Sequence, residues 1–169
     1  MINRAVVRNG RPYSPETLEA FKFLPKVGES IKALRSAGFK VIVVTNQPDV
    51  GAGKQSKKTV EAMNGLMRKA FPLDGVKVCY HTETAGCGCR KPKPGMLLEA
   101  AKEKSIDLKK SFMVGDRWRD IEAGKAAGCK TVLVRRNYRE KESAPDFTAD
   151  SLWEASRFIL SESKKENKK

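Results

Sequence analysis

The chain has 169 residues, 40% of them hydrophobic, and its 34 Lys and Arg outnumber 20 Asp and Glu to give a formal net charge of +14. That length suits one domain with its own core. No apolar run is long enough to cross a bilayer and the start, MINRAVVRNG, lacks the apolar centre of a signal peptide, so a cytoplasmic protein with no membrane partner is expected. The charge calls for an anionic partner, a phosphate ester or a nucleic acid. The aromatic residues do not interleave with Lys and Arg as a base-stacking platform requires, which argues against nucleic acid. The final SESKKENKK is expected to be a disordered basic tail, 161–169, behind a single domain over 1–160.

Residues 1–24 open with Gly10, Pro12 and Pro15 and read as loop. Val27, Ile31, Ala33 and Leu34 then fall on one face of a helix that Gly38 is placed to end. The β-branched run FKVIVV, 39–44, suits a buried strand ending at Thr45, and the turn-rich TNQPDVGAGK follows. A second helix is expected over 57–71, a strand over 76–80, and a third helix from Pro94 to Lys104. A short strand over 112–114 stops at Gly115 and Asp116, a helix over 118–127 is closed by Gly128, and KTVLV, 130–134, is the next strand. Helix and strand thus alternate through the chain, the pattern of an α/β, Rossmann-like doubly wound parallel sheet with helices on both faces. Such sheets bind ligands at the carboxyl ends of their strands, where Thr45 with Asn46, Cys79 with His81, and Asp116 are all placed.

Cys79, His81, Cys87 and Cys89 supply three thiolates and an imidazole, a complete tetrahedral set for zinc. Four protein ligands leave no open position, so such a zinc is structural. The fourth cysteine, Cys129, lies apart between a helix stop and a strand and is assigned no role. Arg90 and Lys91 follow the last ligand at once, so a pinned loop would fix their direction, one offering a two-pronged donor and the other a point charge to phosphate. In GDRWRD, 115–120, Asp116 and Asp120 lie four apart at a strand-to-helix turn; a magnesium ion would take carboxylate oxygen there, whereas one aspartate alone could equally cap the helix. Thr45 and Asn46 offer a hydroxyl and an amide to a phosphoryl oxygen, though turn chemistry explains the pair as well.

VVTNQ at 43–47, the Cys/His cluster, CRKPKPGM at 89–96 and MVGDRWRDIEAG at 113–124 together resemble the haloacid dehalogenase (HAD) superfamily. The resemblance is closer to its zinc-containing heptose bisphosphate phosphatases, which remove the 7-phosphate of D-glycero-D-manno-heptose 1,7-bisphosphate; histidinol-phosphate phosphatases are near relatives. It implies a HAD fold with a zinc loop and no separate cap domain, a magnesium-dependent phosphatase acting on a small sugar phosphate, and a monomer. Thr45 and Lys91 would then steady the transferring phosphoryl group, with Asn46, Gln47, Arg90, Lys91 and Arg117 on the substrate, Asp116 on magnesium and Asp120 second to it.

One departure stands out. The family's aspartate nucleophile and its acid/base aspartate end the first, central strand in a DxDGT/V motif, and this sequence has neither. Relatives continue from that motif as Ile-Asn, which here are Ile2 and Asn3. The expectation is therefore a chain that starts just past its nucleophile, with a GTG valine codon taken as Met1; in-frame codons for Asp-x-Asp-Gly upstream would bear this out. A catalytically inactive sugar-phosphate binder and a nucleic-acid end phosphatase are the alternatives.

Overall fold

The computed structural model describes residues 1–166. The first stretch is not the expected loop: β1 (Val6–Arg8) and β2 (Arg11–Tyr13) form an antiparallel hairpin. It turns at Asn9 and Gly10, whose φ angles of 52° and 76° are the left-handed pair a two-residue hairpin turn of this twist demands.

Helix α1 (Val27–Ser36) buries Val27, Ile31 and Leu34. Strand β3 (Ile42–Asn46) begins later than the apolar run, because the Phe39 amide still bonds back to Leu34 O at 3.1 Å as the chain leaves α1. The turn-rich segment after it contains one short helix, α2 (Pro48–Gly51), followed by α3 (Lys57–Ala70), β4 (Gly75–Cys79) and α4 (Gly95–Lys104), near the expected bounds. Next come β5 (Phe112–Gly115), α5 (Trp118–Ala126) and β6 (Lys130–Val134). Two further elements were not expected, β7 (Phe147–Ala149) and α6 (Leu152–Glu166). Helix α6 buries Leu152, Ala155, Ser156 and Ile159 and takes in residues 161–166 of the expected tail. The rest of that tail lies outside the described residues.

All neighbouring strands of the main sheet run parallel, as expected for an α/β fold, but the sheet is in two pieces: β4 beside β3, and β5, β6, β7 in that order. Among the described residues no strand lies between β3 and β5, where the missing central strand was expected. Successive strand residues still serve opposite faces. Val43 and Val114 pack with Ile31, Met67 and Leu152 of α1, α3 and α6. Val44 and Met113 pack with Leu97 of α4, Ala123 of α5 and Cys129, which is a core residue with its thiol pushed up to about 11 by burial.

The long connection from β6 to β7 is tied down by Asp146. Its Oδ2 accepts from the amide and the hydroxyl of fully buried Thr131, each at 2.7 Å, and these two bonds hold the carboxyl below its ordinary range. The contact is therefore complete above the unfolded-state value of about 3.9 and is lost as pH falls through the lower folded-state value. Asp146→Ala, which orphans both Thr131 donors, is expected to cost about 1–3 kcal/mol in urea unfolding at pH 7. The gap to the unaltered chain should narrow below about pH 4.

Candidate active site

The carboxyl end of β3 and the turn after β5 meet at Lys91. Its ammonium, in a residue only 8% exposed, lies 2.6 Å from Asp120 Oδ1 and donates to Val44 O at 2.7 Å, so one side chain spans from β3 to the start of α5. The lysine is held from behind: Asn46 Nδ2 donates to Lys91 O at 3.0 Å and Asn46 Oδ1 accepts from Lys91 N at 3.1 Å. Asn46, expected as a substrate contact beside Thr45, clamps the lysine main chain and lines the same cavity as Thr45. Asp120 is likewise occupied. Its second oxygen accepts from the amides of Asp116 and Arg117, at 3.2 and 3.1 Å, so it anchors both the turn and Lys91. Gly115 makes this possible, since a Cβ there would overlap the Asp120 side chain.

Asp116 sits at the centre of the edge. Its Oδ2 is 2.9 Å from the Met1 ammonium and accepts from Tyr138 Oη at 3.5 Å. Burial raises its affinity for a proton, but the Met1 ammonium, Arg136 and Lys91 outweigh that and hold the carboxyl below its ordinary value. Burial, with the Asp116 charge, pushes the Tyr138 hydroxyl up to about 12. Thr45 Oγ1 accepts from Gln47 Nε2 at 3.1 Å, and Gln47 Oε1 accepts from Ser14 Oγ at 3.0 Å, linking the segment after the hairpin to the end of β3. Arg117 reaches Glu140 and donates to Pro12 O at 3.5 Å, with its Nε buried and unbonded among the described residues. Thr45, Asn46, Gln47, Arg90, Lys91, Asp116, Arg117 and Asp120 all line one cavity of about 520 Å³. Ser14, Tyr138 and Arg119 line it too, from segments in which no local sequence pattern singled them out.

Beside this cavity the four zinc candidates form one cluster. Cys79 Sγ is 3.7 Å from both His81 Nδ1 and Cys87 Sγ, Cys89 Sγ is 3.3 Å from His81 Nδ1 and 3.4 Å from Cys87 Sγ, and all four ligand atoms lie within 4.8 Å of one another. A tetrahedron with bonds of about 2.0–2.3 Å has edges of about 3.5–3.8 Å, so the donors already stand close to ligand spacing. Burial raises the Cys87 thiol, but backbone amides of Arg90 and Cys89 and the neighbouring thiols bring it down to about 6. Cys89, half-buried beside the other two sulfurs, is pushed up to about 12 by desolvation and by the neighbouring Cys79 and Cys87. Arg90 Nη1 donates to His81 O at 3.4 Å and Arg119 pairs with Glu83 at 3.4 Å, joining the Cys/His loop to the cavity rim.

A parallel α/β sheet, a buried lysine and a cation-holding carboxylate at its carboxyl edge, and a Cys₃His loop beside them define the class as a phosphate-handling HAD-type hydrolase. A family model described as HAD-hydrolase-like matches residues 88–155. The chain is 42% identical over 130 residues to the D-glycero-beta-D-manno-heptose-1,7-bisphosphate 7-phosphatase of Pasteurella multocida, covering 70% of this chain and 71% of that one. It is 37% identical over 157 residues to the enzyme of the same name from Haemophilus influenzae, covering 84% and 85%. A crystal structure of D,D-heptose 1,7-bisphosphate phosphatase from B. bronchiseptica, complexed with magnesium and phosphate, superposes with a TM-score of 0.78 at 28% identity over 87% of this chain and 88% of that one. The chain belongs to the D,D-heptose 1,7-bisphosphate phosphatase family of the HAD superfamily.

Two outcomes follow from the geometry. Cobalt(II) titration should give one equivalent of tetrahedral, thiolate-ligated metal, and Cys89→Ser should weaken that binding by at least about tenfold. Lys91→Met should cost on the order of 3 kcal/mol in urea unfolding by stranding the buried Asp120 carboxylate, and adding Asp120→Asn should recover part of the loss.

Proposed function

We propose that this chain is a magnesium-dependent phosphomonoesterase of sugar phosphates, and that its substrate is D-glycero-D-manno-heptose 1,7-bisphosphate, attacked at the 7-phosphate. The observation that carries this reading is the buried Lys91 ammonium, fixed by Asp120, Val44 O and the Asn46 clamp in the cavity that Thr45 and Asp116 also line. Held there, it neutralises phosphoryl oxygens without having to reorganise. The Thr45 hydroxyl, oriented by Gln47, donates to another phosphoryl oxygen. Arg90, on the Cys/His loop, and Arg117, at the cavity wall, face the remainder of an anionic substrate. The Cys79, His81, Cys87 and Cys89 donors fit zinc, which, bound there, would fix the direction of Arg90 and Lys91.

Asp116 is the residue to hold magnesium: its Oδ2 already accepts a cation, the Met1 ammonium, at 2.9 Å. When bound there, magnesium supplies further neutralisation of the transferring group. The carboxylates lining the cavity are Asp49, Asp116 and Asp120, of which Asp116 and Asp120 are ion-paired.

Isothermal titration in magnesium tests the substrate reading. Heptose 1,7-bisphosphate should bind, and Arg90→Ala should weaken it by about tenfold, equivalent to about 1.4 kcal/mol. Histidinol phosphate binding as tightly would overturn it in favour of the neighbouring specificity. DNA that still competes at about 0.2 M salt would overturn it in favour of a nucleic-acid ligand.

A further inference from the structure

We propose that Glu140, on the connection from β6 to β7, is a positioning residue for anion recognition. It acts through Arg117, holding that guanidinium in the direction in which it meets the part of the substrate that Lys91 and Thr45 do not. The proposal rests on the reading of the cavity as a sugar-phosphate site, and adds to it a residue that stands behind the cavity wall.

Four consecutive residues of the connection carry the argument. Residues 135–146 contain no helix or strand, so their contacts with other segments set their course. Tyr138 Oη donates to Asp116 Oδ2 at 3.5 Å, Glu140 pairs with Arg117 Nη2, and the Lys141 ammonium lies 5.2 Å from the centre of the Trp118 ring. Three side chains thus grip three successive residues of the turn after β5. The fourth residue ties the same segment to the hairpin, through the Arg139 amide, which donates to Gly10 O at 2.8 Å. Gly10 permits that tie, since a Cβ there would come within 2.8 Å of Arg139 Cγ.

Arg117 is the residue this arrangement serves. Its amide is fixed by Asp120, but its side chain is long and has a cavity to move in. Glu140 accepts from Nη2 and Pro12 O accepts from Nη1 at 3.5 Å, so partners on two different segments hold the planar group. The Glu140 side chain is only 12% exposed, so solvent and salt screen the pair little. A guanidinium has more donors than these two contacts use, and Nε is buried with no partner among the described residues. A buried donor left unpaired is costly, and a phosphate or hydroxyl oxygen of a ligand would satisfy it. Glu140 has two opposite effects on such a ligand. Its negative charge weakens every anion in the cavity, whereas its hold on Arg117 helps only a ligand large enough to reach that residue. For a sugar bisphosphate the second effect is the larger, because Arg117 has already lost its rotamer freedom before binding.

Isothermal titration in magnesium tests this with two probes, heptose 1,7-bisphosphate and inorganic phosphate. Glu140→Ala should weaken the bisphosphate about tenfold and Glu140→Gln, which keeps an acceptor oxygen, about threefold, while inorganic phosphate changes by less than about twofold. In an Arg117→Ala background, Glu140→Ala should change bisphosphate binding no further. A readout without ligand is the Nε–H of Arg117, assigned by its loss in Arg117→Ala, which should exchange with solvent at least about threefold faster in Glu140→Gln. Bisphosphate affinity that is unchanged or raised in the Glu140 variants, an equal loss for inorganic phosphate, a loss that persists without Arg117, or unaltered Nε–H exchange would each overturn the proposal. If the unaltered chain does not bind the bisphosphate at all, the phosphatase reading falls and the proposal with it. Bisphosphate that binds the unaltered chain and Glu140→Ala alike overturns the proposal alone.

Discussion

A buried lysine held by a buried aspartate is the constraint on which the rest of this structure depends. Taking both charges out of water is costly, and their mutual attraction repays that only when the remaining donors and acceptors are also satisfied. Here they are: Lys91 Nζ has Val44 O as a second acceptor, and the far oxygen of Asp120 takes the amides of Asp116 and Arg117. The pair therefore fixes three things together, the end of β3, the turn after β5 and the loop that follows the Cys/His cluster. A side chain at position 115 would push Asp120 out of this arrangement, which explains a glycine at the end of a strand whose other residues are large and apolar.

The Cys/His loop acts on the same point from the opposite direction. Cys79 is the last residue of β4 and is fully buried, so one corner of the cluster belongs to the sheet itself. Cys89 is joined directly to Arg90, so another corner sets the path into Lys91. A metal joining these corners would make the loop a strut between the sheet and the phosphate-binding residues. The Arg119 to Glu83 contact and the Arg90 bond to His81 O are the outer connections of that strut.

How much of this was legible in the sequence depended on the range of the interaction. Alternating helices and strands, and four metal donors within one short segment, are local patterns and could be read directly. The hairpin was also local, written in Asn9-Gly10, but Gly10 and Pro12 were taken as breakers without weighing what a left-handed pair does between two short strands. Helix α6 had its signal in Leu152, Ala155 and Ile159, masked by the charged residues that follow. What local patterns could not reveal is which polar groups spend their hydrogen bonds on one another. Asn46 and Asp120 have the right chemistry for substrate and magnesium, yet their partners lie 45 residues away for Asn46 and, for Asp120, include Lys91, which sits on a different loop. Ser14 and Tyr138 reach the site only through the tertiary arrangement of the hairpin and the loop after β6.

The same reasoning about range bears on Asp116. A carboxylate buried at the edge of a low-dielectric cavity, yet held below its ordinary pKa, is stable only because positive charge surrounds it. Of those charges, Lys91 is already committed to Asp120, and Arg136 acts without a bond to Asp116 among the described residues. The Met1 ammonium is the cation in direct contact, with the Met1 side chain packed against two of the apolar clusters. A singly charged group is a weaker partner for such a site than a divalent ion that can also bind phosphate. A divalent ion held by Asp116 Oδ2 would have to take the place of the Met1 ammonium there, so the cation bound and the conformation of the first residues are coupled.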